Sequence, residues 1–211
     1  STFTDSHFLA GLPELFPQLA EAWLTAINIE IIGASGSETY TRMSSPCGST
    51  GPYCLGADGY QVKGASGAQG TVGIYTNGLG FGTSYVAPMI SGAVALLAEA
   101  FPAQTPAEWA DRLLASSDNT FFTHSGTTTF GNGYQHGYNA EFGHGIMDIY
   151  AALQPITASG LTRVFIGGSI NSDESYTFGS SQIITSRSFG DSLYQGLKGL
   201  TGYTYDDLGG G

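Results

Sequence analysis

Residues 78–92 read GLGFGTSYVAPMISG, and the fold turns on whether Ser84 merely begins a helix or is aimed at a substrate. From Ser84 onward Val86, Ala87, Met89, Ile90, Ala93, Val94, Leu96, Leu97, Ala100 and Phe101 leave almost no polar stripe. That pattern predicts a helix buried inside a domain, stopping at Phe101-Pro102. Three familiar Gly-rich readings fail on residue type. Thr83, where a third glycine should fall after Gly78 and Gly80, breaks the dinucleotide fingerprint. No lysine supplies a phosphate loop, and Val86 stands where a G-x-S-x-G elbow requires glycine. What is left is Gly-Thr-Ser and an apolar helix. A serine there lies beside backbone N–H groups that lack helical partners, and those groups with the helix dipole would stabilise an oxyanion forming next to it. Gly82 would let the backbone come close to a substrate carbonyl. Most serines at helix starts are only caps, so the residues alone leave both readings open.

Downstream, TPAEWADRLLASS (105–117) predicts a second helix with Thr105 as N-cap, Pro106 at the first helical position and Glu108 closing a capping box. Trp109, Leu113 and Leu114 give it one buried face. Upstream, FPQLAEAWLTAINIEIIGA (16–34) has a short helix-like start and then a β-branched apolar run that suits a buried strand. CLGADGYQVKGASG (54–67) offers one or two short strands broken by glycine. After EFGHGIMDIYAALQPI (141–156) the chain becomes Gly/Ser/Thr-rich, with short alternating segments such as TRVFIGG (162–168) and SQIITSRSFG (181–190). A boundary is expected there, dividing residues 1–156 from residues 157–211.

The chain is 211 residues long and 41% hydrophobic, enough for one domain with a substantial core and an appendage. Six Lys and Arg against 17 Asp and Glu give a net charge of -11, so the basic surface that nucleic-acid binding requires is absent. Only 11% of residues are charged and 32 are glycine, a composition closer to loop-rich extracellular proteins than to Lys/Glu-rich cytosolic ones. No apolar run of about 18 residues is free of polar interruption, and STFTDSHF has neither the basic nor the apolar region of a signal peptide. Neither a membrane span nor an export signal is expected.

Two cysteines, Cys47 and Cys54, lie in SSPCGSTGPYCLGADG (44–59). The Gly48, Gly51 and Pro52 between them allow the chain to turn back into a small disulfide loop, which would suit an oxidising compartment. Two free buried thiols are the alternative. No second Cys or His pair completes a zinc site. His124, His136 and His144 with Glu141 show no helical i, i+4 pair, so no metal is expected there either.

The stretch GTSYVAPMISGAVALLAEAFP (82–102) resembles the reactive-serine segment of the subtilisin-like serine proteases, whose pattern is Gly-Thr-Ser, two residues, Pro and a Gly-containing hydrophobic helix. WLTAINIE, CLGADGYQV and FGHGIMDIYAALQPI resemble further landmarks of that fold. Asp58 is a departure, where the family commonly has proline. Cys47, Cys54 and the tail SRSFGDSLYQGL…YDDLG look most like subtilisin-like autotransporters of Gram-negative bacteria, whose tail links the protease to an outer-membrane β-barrel. The resemblance implies a three-layer α/β fold with a mainly parallel sheet, the serine helix at its centre and a β-rich tail over residues 157–211. It implies a secreted or cell-surface serine endopeptidase acting on protein or peptide substrates, with Ser84 as nucleophile, Gly82 and Thr83 in substrate binding, and a Cys47–Cys54 disulfide. No cofactor is expected, and a structural calcium ion has no readable signature in these residues.

Such an enzyme needs a histidine base and an aspartate that holds it, in the chain order Asp, His, Ser. His7 alone precedes Ser84, and DSHFLAG lacks the family's Gly-rich histidine motif, so His7 is not expected to be the base. Asn28 lies in a strand, not where the oxyanion-hole asparagine belongs. The expectation is a nucleophile-bearing C-terminal half whose partner half supplies Asp and His, with membrane association only through a β-barrel outside these residues. The alternative is a catalytically inactive, adhesin-like or structural passenger segment.

Overall fold

The β-branched run does form a strand, β1 (Thr25–Ile32), and its side chains divide between two apolar layers. Leu24 and Ala26 pack toward the cluster around the long helix; Ile27, Ile29 and Ile31 pack toward Cys47, Cys54, Tyr40, Phe142 and Ile146. Because both faces are covered, the run reads as continuously apolar, without the alternation of a half-exposed strand. The computed structural model describes residues 5–67, 75–158, 161–166, 176–179 and 202–210. Before β1 lie α1 (Leu12–Leu15) and a 3₁₀ turn at Pro17–Leu19. The expected helical start is this short because Pro13 and Pro17 each fit only a first turn.

Strand β1 pairs in parallel with β3 (Cys54–Ala57), Thr25 opposite Cys54, and antiparallel with β2 (Thr39–Arg42), Ile29 opposite Arg42. Further on come β4 (Val62–Gly67) and β5 (Tyr75–Gly80), then α2 (Thr83–Ala100) and α3 (Pro106–Ser116). The chain continues through β6 (Gly126–Phe130), β7 (Tyr134–Tyr138) and α4 (Ile149–Ala152). Among the described residues the parallel pairing expected of the sheet is confined to β1–β3 and the Gly56–Ile146 bridge; β4–β5 and β6–β7 are antiparallel. A parallel pair needs a crossover of about a dozen residues or more. The links after β1 and after β6 are too short for one and close as hairpins.

Helix α3 carries the expected capping box: Thr105 Oγ1 accepts from Glu108 N–H at 3.4 Å, and Glu108 Oε2 accepts from Thr105 N–H at 2.6 Å. It packs against α2, whose buried stripe is Val86, Ile90, Ala93 and Leu97. The all-round burial expected of α2 is not found. Leu96 is 53% exposed and Tyr85, Ala87, Ser91 and Gly92 are also open. Composition reports how apolar a helix is, whereas burial depends on how many neighbours it has, and α3, β1 and β3 cover one side. By length and composition α2 is apolar enough to cross a membrane, yet its stripe is part of the main core.

Beyond residue 157, β8 (Leu161–Ile166), β9 (Tyr176–Gly179) and β10 (Gly202–Tyr205) form an antiparallel sheet in the order β10-β8-β9. The predicted segment 181–190 lies outside the described residues. After β10 the chain returns to the point it left: Asp207 N–H donates to Ile156 O at 2.9 Å, and Leu208 is buried in the main core.

Candidate active site

The first residue of the site is a glycine. Gly82 holds the N-cap position of α2 at φ 115°, ψ 175°, a region that side-chain-bearing residues rarely adopt. A Cβ at Gly82 would meet nothing within 4 Å, so backbone conformation, not crowding, calls for glycine. Thr83 and Ser84 are then the first two helical residues. The cap position having no side chain, Ser84 is not a cap. It is exposed, and among the described residues its hydroxyl has no hydrogen-bond partner. Pro88, four residues on, has no N–H to offer the Ser84 carbonyl, so the first turn is held less tightly than those after it.

Ser84 and Thr83 line a cleft of about 750 Å³ whose other walls come from Trp23–Ile27, Ser44–Pro46 and the segment around His7. A second, apolar groove of about 440 Å³ continues along α2 between Trp23, Leu24, Ala26 and Ala87, Ile90, Val94. The N–H groups of Thr83 and Ser84, residues that line this cleft, have no carbonyl within the helix to pair with, and such groups can stabilise nearby negative charge. His7 shares the cleft, but its Nδ1 accepts from Leu9 N–H at 3.3 Å. Among the described residues no hydrogen bond joins His7 to Ser84, and no carboxylate holds the His7 ring. No Asp-His-Ser arrangement is assembled among the described residues.

Behind the cleft, Gly59 joins two elements: its N–H donates to Asn28 Oδ1 at 2.9 Å and its carbonyl accepts from Gly82 N–H at 3.0 Å. Asn28, set aside in the sequence as a strand residue, is 1% exposed. The only sequence signal for it was a carboxamide inside an isoleucine run. Asp58 closes an Asx turn, Oδ1 accepting from Tyr60 N–H at 3.0 Å, and so shapes the loop where the family has proline.

Cys47 and Cys54 are bonded as a disulfide, at the centre of the layer behind β1. Three of the histidines lie near that layer. His136 Nε2 lies 3.0 Å from Ser117 O and must donate to it, and its Nδ1 lies 2.8 Å from His144 Nδ1. His144 Nε2 lies 3.1 Å from Pro52 O, which can only accept, and 3.2 Å from the Thr128 hydroxyl, so it donates. His124 Nε2 donates to Asn119 O at 3.2 Å. Burial, and then the neighbouring His136, hold the His144 pKa down to about 3; burial also lowers that of His136. These rings are committed to one another and to backbone, and Glu141 instead reaches Arg42 at 3.5 Å.

An exposed serine thus opens a glycine-capped helix beside an apolar cleft. The Peptidase_S8 subtilase family matches residues 10–145, and the chain belongs to that family. Among solved structures it is similar to fervidolysin from Fervidobacterium pennivorans, a keratinolytic enzyme related to subtilisin. The identity is 21%, covering 69% of this chain and 21% of that one, with a TM-score of 0.46. It is also similar to MycP1 from Mycobacterium smegmatis, at 24% identity over 66% of this chain and 33% of that one, TM-score 0.38. MycP1 without its propeptide aligns at 22% identity over 65% and 38% of the two chains, TM-score 0.40. The chain therefore spans about a fifth to two-fifths of the length of these proteins. No curated protein matches it.

Proposed function

We propose that this chain is the nucleophile-bearing part of a serine endopeptidase, in which Ser84 attacks a peptide carbonyl, forms an acyl-enzyme and releases it to water. The observation that carries this reading is the uncommitted, exposed Ser84 hydroxyl at the start of α2, inside a cleft. Gly82 and Thr83 border the substrate beside Ser84, Gly82 by leaving room for its approach and not by donating its N–H, which Gly59 O takes. The histidine base and its aspartate come from a segment outside these 211 residues, and that segment covers the open side of α2. The exposed apolar positions on α2 and the groove along it support this reading.

Residues 1–156 are the peptidase portion. Residues 157–211 are a β-type segment leading toward a β-barrel translocator, its last residues fastened back onto the peptidase portion. The compartment we propose is extracellular or cell-surface, supported by the Cys47–Cys54 bridge. Protein or peptide is the substrate class.

Ser84→Ala in the enzyme that includes the base-bearing segment tests the assignment. Turnover is expected to fall about 10⁶-fold, as when one member of a catalytic unit is removed, with the fold retained. Undiminished peptide hydrolysis by Ser84→Ala would show the nucleophile to be elsewhere.

A further inference from the structure

We infer that Asn28 is a positioning residue for Ser84, holding the turn at Gly59 that sets where α2 begins; the inference rests on the reading of Ser84 as nucleophile. Asn28 lies on the face of β1 that carries Leu24 and Ala26, toward the α2 layer. Its own backbone is held on both sides: Asn28 N–H donates to Ser44 Oγ at 3.0 Å, and Met43 N–H donates to Asn28 O at 2.8 Å. From this fixed point its Oδ1 takes the Gly59 N–H at 2.9 Å. The Gly59 carbonyl takes the Gly82 N–H at 3.0 Å, and the Gly82 carbonyl takes the Tyr85 N–H at 3.0 Å. Three short bonds thus run from the strand to the residues on either side of Ser84.

The contact at Gly59 is close. A Cβ there would lie 2.7 Å from Val86 Cγ2, 2.8 Å from Asn28 Oδ1 and 2.8 Å from Gly82 O, so strand, loop and helix start meet at one backbone position. A buried carboxamide in a run of isoleucines is unfavourable unless bonded, and the bond it makes is the one that braces this junction. Ser44, which holds the Asn28 backbone, lines the same cleft as Ser84. Asn28 touches no substrate. It keeps the hydroxyl and the helix N–H groups in register with each other, and errors of about 1 Å in such placement can lower turnover about 100-fold.

The test uses the enzyme with its base-bearing segment and compares wild type, Asn28→Leu and Asn28→Asp for kcat, KM, fluorophosphonate labelling rate and melting temperature. Asn28→Leu is expected to lose about tenfold to 100-fold in kcat and in labelling rate, with KM within about twofold of wild type. Asn28→Asp keeps an oxygen facing Gly59 N–H and is expected to recover kcat per folded molecule to within about threefold. If Asn28→Leu does not fold, Asn28→Ser replaces it, because the shorter hydroxyl leaves Gly59 N–H unpaired with little steric change. Wild-type kcat in the Leu or Ser variant overturns the inference, as does an Asp variant no better than the Leu or Ser variant. A wild-type enzyme whose Ser84 neither hydrolyses peptides nor labels overturns the nucleophile reading itself, and the inference with it.

Discussion

His136 and His144 are stacked with ring centroids 5.1 Å apart, their Nδ1 atoms 2.8 Å from each other. Burial lowers the pKa of both rings. An unfolded histidine titrates near 6.5, whereas folded His144 titrates at about 3. Between those values the unfolded chain binds more protons than the folded one, so lowering the pH through that window destabilises the fold. The slope can reach about 1.4 kcal/mol per pH unit for each histidine. The melting temperature of the folded enzyme is expected to drop as pH is taken from about 7 to about 4, and to drop less steeply in His144→Gln. Equal slopes in wild type and variant would show that the pair carries none of the acid sensitivity.

At the scale of elements, the joint between α3 and residues 206–210 is the most charged part of the core. Arg112, 1% exposed, donates to Ala152 O at 2.7 Å, Gln154 O at 2.8 Å and Asp206 Oδ2 at 2.5 Å, with its guanidinium 4.0 Å from the centre of the Phe101 ring. Asp206 in turn accepts from the N–H groups of Ile156, Leu208 and Gly210. This one ion pair therefore binds α3, the end of α4 and the returning chain together. Asp206→Ala leaves a buried guanidinium without its counter-charge and is expected to lower stability by about 3–5 kcal/mol. The double variant Arg112→Met, Asp206→Leu should recover only the part of that loss owed to the uncompensated charge, because the Ile156, Leu208 and Gly210 N–H groups stay unpaired. Denaturant midpoints decide it: an Asp206→Ala protein as stable as wild type would mean that the clamp contributes nothing.

For the molecule as a whole, the open face of α2 and the isolated Ser84 lead to one expectation. Residues 1–211 alone should react with a fluorophosphonate probe no faster than an ordinary serine, because base and nucleophile act as a unit. Adding the base-bearing segment, covalently or as a second chain, should restore labelling. Strong labelling of Ser84 in the purified 211-residue chain would instead point to His7, the histidine already in the cleft.

The sequence by itself determined the local pieces. The strand run at Trp23–Ile32, the capping box at Thr105 and Glu108, the span of α2 and the place of Ser84 at its start depend on periodicity and on caps made within a few residues. The tertiary structure alone decided the rest. Arg112 looks like a solvent-facing charge on an amphipathic helix until Asp206, 94 residues away, comes to meet it. Asn28 looks misplaced in its strand until Gly59 and Gly82 close on it. The side of α2 left open could not be read from its composition either, because exposure is fixed by what packs against a helix and not by the helix's own residues.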